Sequence, residues 1–322
     1  MPVSLKTRSA GPVWARPFLV LSPPSVGFIL LAMTLTPTPA IAPKIIGPRG
    51  SIGDRARALL INPRIYQGIF GIGMFFLAWF LLIDMFGVWR FGELPKLVEA
   101  VREWMNPKPI FGVSLFTAEY YKHIEASIFR VFTAFSLATL SGITIGILMG
   151  WRRIFFGLTF PILEVLRPIP ILAYIPLAII LLPGRETPII GLTFLAAFFV
   201  TILNTLLGVQ SIDKVYYRAA QSLGFSQWQT LWHVIVPGAL PYIFVGLQIA
   251  MGACWFSLVA AEILSGSAGL GYKVWETYYY VQFPTMVIVM ATLGFFGYVS
   301  SALVRIVGNR LMRWREDILS GI

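Results

Sequence analysis

Six apolar stretches dominate this 322-residue chain, and each is long enough to cross a hydrocarbon layer of about 30 Å as a helix. The composition agrees, since 57% of the residues are hydrophobic, 12% are charged and the mean hydropathy is +0.78. The sequence therefore predicts an all-α polytopic membrane protein of about six transmembrane helices. The predicted spans are 69–89, 127–150, 154–182, 188–209, 239–263 and 283–304.

The charge distribution predicts the orientation of these spans. A net charge of +11 in a soluble protein would suggest a nucleic-acid partner, but in a membrane protein the bias of Lys and Arg towards the cytoplasm explains it. Basic clusters follow the second span at Arg152 and Arg153, the fourth at Lys214 and Arg218, and the sixth at Arg305. All of them lie on one side if both termini are cytoplasmic, and no nucleic-acid partner is needed.

Residues 1–64 are predicted to be a basic, Pro-rich cytoplasmic extension, followed by a transmembrane domain at 65–322. The extension carries many basic side chains and one acid, Asp54, and its prolines leave too short an apolar run to span a membrane. Two alternatives stay open. The basic start, the apolar run and Ala40-Ile41-Ala42 also resemble a cleavable signal peptide, and translation starting at Met33 would shorten the extension.

The external segment 90–125 has as many acidic as basic residues and predicts one amphipathic helix. Its apolar residues follow helical spacing after Pro95, which is typical of a helix lying at the membrane interface. They are Leu97, Val98, Val101, Trp104 and Met105. The single cysteine, Cys254, and two separated histidines, His123 and His233, predict neither a disulfide nor a metal site.

The most patterned polar stretch is 211–243, between the fourth and fifth spans. Ser226 and Gln229 form a capping-box pattern, and Gly224 suits the left-handed residue that ends a preceding helix. The stretch is predicted to be a helix, a glycine turn and a second helix that Pro237 stops. Such a hairpin is either a connector packed against the rest of the chain or a projection that binds a partner protein. In the second case Ala219 and Ala220 would admit a partner closely, and exposed aromatic side chains would anchor it.

Charged residues inside the spans are the next candidates, because a charge in hydrocarbon is costly. Arg130 or Arg167 would lower the barrier for an anion, or else Arg130 would snorkel to the headgroups and Arg167 would pair with Glu164. Glu262 either faces the pathway or bonds a neighbouring span. The prolines in 167–170 predict a break in the third span that lines the pathway. A Gly ridge at 142, 146 and 150 predicts close helix packing within one subunit.

Several motifs in one order resemble the ABC-importer permeases for taurine, alkanesulfonates, nitrate and bicarbonate. The hairpin spacing from Ala219 through Gly224 to Pro237 is similar to the EAA loop of that family, with Arg218 at the position of its leading acid. The matching pieces cover about 120–310 and are SIFRV at 127–131, RPIPILAYIPL at 167–177, RAAQSLG at 218–224, VPGALP at 236–241, VAAE at 259–262 and GLG at 269–271.

The resemblance implies a type I importer fold in the bacterial inner membrane, with a permease homodimer, two separate ATPase subunits and a periplasmic or lipid-anchored solute-binding protein. The chain has no phosphate-binding Gly-x4-Gly-Lys-Ser/Thr pattern, so ATP would be bound in trans and the chain would be no enzyme, with no cofactor or metal of its own. The glycines at 266, 269 and 271 are interpreted as a tight external turn.

Two sets of residues carry the predicted function, the transport of a small anionic solute. The competing class is a secondary transporter or channel without an ATPase. The predicted ATPase-coupling loop, within 211–238, consists of Arg218, Ala219, Ala220, Gly224, Ser226 and Pro237. The candidate translocation pathway consists of Arg130, Arg167, Pro168, Pro170, Tyr174 and Glu262.

Overall fold

The computed structural model describes residues 63–85, 95–109, 112–265 and 267–312, and no strand occurs among them. Contacts divide the chain into two units, Met1–Ile69 and Phe70–Ile322, and the predicted extension 1–64 lies almost wholly outside the described residues. The helices are α1 (Pro63–Trp79, continued by a π turn, Phe80–Met85), α2 (Leu97–Trp104), α3 (Ala118–Trp151), α4 (Arg153–Leu166), α5 (Ile175–Leu181), α6 (Glu186–Gln210), α7 (Lys214–Ser222), α8 (Gln227–Thr230), α9 (Val236–Ser265), α10 (Leu270–Tyr279) and α11 (Phe283–Leu311).

Five of the described helical stretches are long and apolar enough to cross a membrane, and a bent pair, α4 with the segment up to Leu181, makes a sixth. The prediction of about six spans is thereby confirmed. The packing core is formed by α3, α6 and α9, with α6 in the middle. Residues such as Val131, Ile202 and Leu258 are fully buried there.

The Gly ridge of α3 packs against α6, as predicted. A methyl group added at Gly146 would lie 2.7 Å from Cβ of Thr205, and one added at Gly150 would lie 2.5 Å from a γ carbon of Val209. Contacts this short leave no room for any side chain. The glycines therefore bring two spans of the same subunit together, where small residues allow close backbone approach.

The third span is broken where its prolines predict a break. Helix α4 ends at Leu166, a 3-10 turn covers Ile171–Tyr174, and the two halves meet at an angle of 92°. Proline at position 170 has no N–H to offer the carbonyl of Leu166 four residues earlier. The hydroxyl of Tyr174 donates to that carbonyl at 3.0 Å, which restores part of the lost bonding.

The predicted stop at Pro237 is wrong. Helix runs without interruption from Gln227 to Leu264, and Pro237 lies inside it, directly after a π turn at Leu231–Ile235. A π turn is wider than an α-helical one, and we attribute the tolerance of the proline ring and its missing N–H to this local change. The fifth span is therefore continuous with the second helix of the hairpin, and the span does not begin at 239.

Two helices lie outside the spans on the side that the charge distribution makes external. Helix α2 confirms the helix predicted from the apolar spacing of 97–105. Helix α10 is not predicted, because its sequence has no strong helical period. Its N-cap is Gly269, whose φ of +123° is a conformation that favours glycine.

Candidate functional site

The cytoplasmic hairpin, 211–238, contains the helix, the glycine turn and the start of the second helix that its sequence predicts. Asp213 caps α7 by accepting from the Val215 N–H at 2.9 Å. At the other end, the Phe225 N–H donates to the Ala220 carbonyl and the Gly224 N–H to the Gln221 carbonyl, each at 3.0 Å. With Gly224 at φ +77°, this is a Schellman motif. The glycine turn is therefore a defined structure.

The capping box at the start of α8 is also confirmed. The Ser226 N–H donates to Oε1 of Gln229 at 2.7 Å, and the Gln229 N–H donates to Oγ of Ser226 at 3.3 Å. One edge of the Trp228 ring meets the ring of Trp151, at the cytoplasmic end of α3, with centroids 5.2 Å apart. These contacts hold the hairpin in one orientation against the spans.

The outer surface of the hairpin is unusually apolar for a cytoplasmic loop. Leu223 is 75% exposed, and Tyr216, Trp228 and Trp232 are each about 60% exposed. An exposed aromatic patch on a rigid support is typical of a protein-binding surface. Arg218 and Ala219 lie on exposed positions as well.

Ala220 does not belong to this exposed surface. It is only 4% exposed. Of the two alanines, only Ala219 therefore lies on the exposed surface, and a role for Ala220 in the close approach of a partner stays a prediction.

At the opposite end of the spans, Arg130 is the centre of a buried polar network. Its Nε and Nη2 each donate to Glu186 at 2.6 Å, and its Nη1 donates to Glu262 at 2.7 Å and to the Ala268 carbonyl at 2.6 Å. Arg130 is 2% exposed and Glu262 is 0% exposed. Arg130 therefore does not snorkel to the headgroups, and it links α3, α6 and α9.

Two glycines make a cradle for the carboxylate of Glu262. A methyl group added at Gly269 would lie 2.2 Å from Oε1 of Glu262, and one added at Gly271 would lie 2.7 Å from the Val259 carbonyl oxygen. The Gly271 N–H donates to Oε2 at 2.8 Å, and the Ser127 hydroxyl donates to the same carboxylate at 2.9 Å. The N-terminus of α10 thus holds an anion, as the helix dipole favours.

The segment with Gly269 and Gly271, predicted to be a simple turn, therefore also binds the carboxylate of Glu262. The next N–H, that of Leu270, donates to Ser127 at 2.8 Å, and that of Gly269 donates to Nδ1 of His123 at 3.0 Å. These bonds explain why α3 begins at 118, before the predicted start at 127. The polar residues of its first turns have partners on α10.

Lys273 completes this outer end. Its ammonium group lies 3.0 Å from Glu119 and 2.7 Å from Glu276. Burial disfavours its charge, but the hydrogen bonds to Glu276 and Glu119 outweigh that effect and raise the pKa of Lys273. The side chain is thus held as a cation on the external side of the protein.

The candidate pathway residues occupy two separate places. Arg130 and Glu262 pair with each other in the outer network, whereas Arg167, Pro168, Pro170 and Tyr174 all belong to the break in the third span. In the part of the chain that the structure describes, no carboxylate lies within 4.0 Å of Arg167, so the predicted local pair with Glu164 is absent. A pathway role for these six residues stays a prediction.

Sequence reasoning missed Ser127, Glu186, Gly269, Gly271 and Lys273 as members of the outer network. For the two glycines, the sequence does contain one indication. A turn with glycines at 269 and 271 follows soon after Glu262, and a buried carboxylate needs donors that approach closely. For Glu186 the sequence carries no signal, since its partner Arg130 is 56 residues away. Lys273 has one local partner, Glu276, but its second partner, Glu119, is 154 residues away.

The structure is a bundle of five or six apolar helices with an exposed hairpin at one end and a largely buried polar network at the other. This is the architecture of a polytopic membrane protein, and comparisons with known proteins identify it as a transport protein. The chain matches the model "Binding-protein-dependent transport system inner membrane component" at residues 142–314, over half of its length. The chain therefore belongs to this family and is a multi-pass component of the inner membrane.

Individual relatives agree with that assignment. The chain is 38% identical over 201 residues to the taurine transport system permease protein TauC of Escherichia coli, covering 62% of this chain and 73% of TauC. It is 31% identical over 243 residues to the nitrate import permease protein NrtB of Leptolyngbya laminosa, covering 73% and 86%. A structure of the MetNI methionine ABC transporter matches in fold, with a TM-score of 0.52, 18% identity and coverage of 60% and 94%.

Proposed function

We propose that this chain is the permease subunit of an ATP-driven importer for a small anionic solute. In this assembly two copies form the pathway, a solute-binding protein delivers the solute from outside, and two separate ATPase subunits bind the ATP. The observation that carries the proposal is the cytoplasmic hairpin. Its exposed aromatic patch stands on a capped, rigid turn, and a carrier that works without a partner has no use for such a surface.

The anionic solute is supported by the relatives and by Arg167. Taurine, a sulfonate, and nitrate are the solutes in the names of two relatives. In this chain Arg130 is already neutralised by two carboxylates. Arg167 is exposed and directly follows α4, a helix of 14 residues that begins at the cytoplasmic Arg153. At 1.5 Å per residue, Arg167 lies about 20 Å along the span from the cytoplasmic end.

A cation at that depth needs water or a partner around it, because a bare charge in hydrocarbon is costly. The adjacent 92° break supplies exposed backbone of the kind that lines water-filled cavities in membrane proteins. Arg167 is therefore the side chain best placed to attract an anion to the pathway, ahead of the other five candidates.

Replacing Arg167 tests this assignment. We expect Arg167→Gln to reduce uptake of the anion at least about tenfold, because the field of a unit charge near the solute is lost, while Arg167→Lys keeps most of the uptake. Uptake is measured in proteoliposomes that contain the whole transporter. Equal uptake by the wild type and Arg167→Gln would remove Arg167 from the pathway.

The importer assignment has its own test. The tagged chain is purified from its native cells, and ATP hydrolysis by the purified material is followed with and without a loaded solute-binding protein from the same cells. Co-purification of the ATPase and stimulation by the loaded binding protein are expected. Solute uptake by the chain alone, without ATP, would instead indicate a secondary transporter or channel.

A further inference from the structure

An apolar cavity lies beside the outer ends of two spans, apart from both sites described above. It measures about 750 Å³ and is lined by α2, α3 and α11 together with Leu115 and with Phe76 of α1, with an opening to the side. Its volume lies within the range of about 300–1,000 Å³ that is typical of ligand sites. Its wall includes Val101, Trp104, Tyr120, Val287, Thr292 and Phe295.

The polar groups in the wall of this cavity are already bonded to the protein. Thr292 donates to the Ile288 carbonyl at 2.8 Å, so the 2.6 Å contact with the Tyr120 hydroxyl has Tyr120 as the donor. The hydroxyl of Tyr121 donates to the Leu115 carbonyl at 2.9 Å. A water molecule in a cavity needs two to four polar partners. The wall therefore favours an apolar guest over water or a polar solute.

The position of the cavity indicates which apolar guest is available. Helices α3 and α11 are membrane spans, and several wall residues are open to their surroundings, with Phe295 61% and Val101 46% exposed. The surroundings of a span are acyl chains. A lipid chain can enter the cavity from the side, while a solute in water would have to cross apolar surface first.

Helix α2 adds a reason for a phospholipid in particular. Lys96, an exposed cation, directly precedes Leu97 of the cavity wall, and no carboxylate among the described residues lies within 4.0 Å of it. Cations at the membrane interface attract phosphate headgroups. A single molecule that joins an acyl chain to a phosphate would satisfy both the apolar wall and this cation.

We propose that this cavity is a specific binding site for one acyl chain of a membrane phospholipid, whose phosphate lies near Lys96. The lipid bridges α2 to the outer ends of α3 and α11. It is distinct from the lipid that surrounds the protein everywhere, because wall residues from four helices contact the same chain.

Photo-crosslinking tests the site. The complete transporter is reconstituted in nanodiscs with a small fraction of phosphatidylethanolamine that carries a diazirine at the acyl terminus, irradiated, digested and mapped by mass spectrometry. We expect adducts to concentrate on Val101, Trp104 and Val287, at least about fivefold above the lipid-facing residues Leu140 and Leu303. Adducts spread evenly over all lipid-facing residues would overturn the proposal.

A matched pair of variants on α11 sharpens the result. Ala291 lines the cavity, so Ala291→Phe fills it and should remove most of the cavity adducts. Gly294 lies outside the wall and has open space around an added Cβ, so Gly294→Phe should leave them unchanged. If cavity adducts persist in Ala291→Phe, the chain is not bound there. Should Ala291→Phe not assemble, the wild-type map alone decides.

The headgroup is tested with the same method. Lys96→Gln should lower the cavity adducts from the phospholipid probe severalfold, but not those from a neutral diacylglycerol with the same diazirine. An equal fall for both probes, or for neither, would contradict the role of the phosphate. Labelling by a diazirine fatty acid in place of the phospholipid would identify a different source of the chain and overturn the assignment.

Discussion

Gly224→Asp should abolish solute-stimulated ATP hydrolysis while the spans still insert and the subunit is produced in normal amounts. An added Cβ at Gly224 meets nothing within 4 Å, so the new side chain has room within the subunit. It lies next to the exposed aromatic patch of the hairpin and brings a charge to a surface that a partner must desolvate. The loss is expected at the partner contact and is measured as ATPase activity of the reconstituted transporter.

Gly224→Asn is the matched control for that variant. Gly224 has a φ of +77°, a conformation that costs most L residues about 1–2 kcal/mol and is tolerated best by Asn and Asp. Asn has the size and backbone strain of Asp without the charge, so it should retain much more activity and more co-purified ATPase. Full stimulation in Gly224→Asp would contradict the coupling role of the turn.

Arg130→Met should destabilise the subunit by about 3–5 kcal/mol, the usual cost of removing one partner from a buried ion pair. Glu262 would lose its cation while it stays 0% exposed. Glu186, the other partner, is 56% exposed at its side chain and can be solvated. Thermal stability is measured as the fraction of subunit that stays monodisperse on size-exclusion chromatography after heating.

The double variant Arg130→Met with Glu262→Gln separates structure from transport. Removing both charges should recover a large part of the lost stability, because replacing a whole buried pair costs less than breaking it. If the pair serves structure alone, uptake recovers with stability. If uptake stays low in a stable double variant, Arg130 and Glu262 have the pathway role that their position in the spans suggested. Unchanged stability in Arg130→Met alone would contradict the network itself.

Local chemistry explains which parts of this molecule could be predicted. The glycine turn at Gly224 and the capping box at Ser226 depend on residues a few positions apart, and both occur as the sequence indicates. The break at Pro168 and Pro170 follows from missing N–H groups. The spans follow from hydropathy alone, with ends that shift where polar residues such as His123 find partners.

The rest depends on contacts between residues far apart in the chain. The bonds from Arg130 to Glu186 and Glu262 form only after α3, α6 and α9 pack. The N-terminus of α10 is held by the carboxylate of Glu262, which belongs to α9. The error at Pro237 has a different cause, since a π turn leaves no recognised pattern in the residues before it. In each case a contact with a residue distant in sequence, or a local change in helix geometry, outweighs the structure that the adjacent residues favour.

The uninterrupted helix from Gln227 to Leu264 also has a mechanical consequence. Its 38 residues form a rod about 57 Å long, at 1.5 Å per residue. One end carries Trp228 of the exposed aromatic patch, and the other carries Glu262, which holds the external helix α10. A partner that moves the hairpin can therefore tilt the outer end of the same helix directly, because no flexible loop lies between them. The two faces of the membrane are thus connected by one continuous helix.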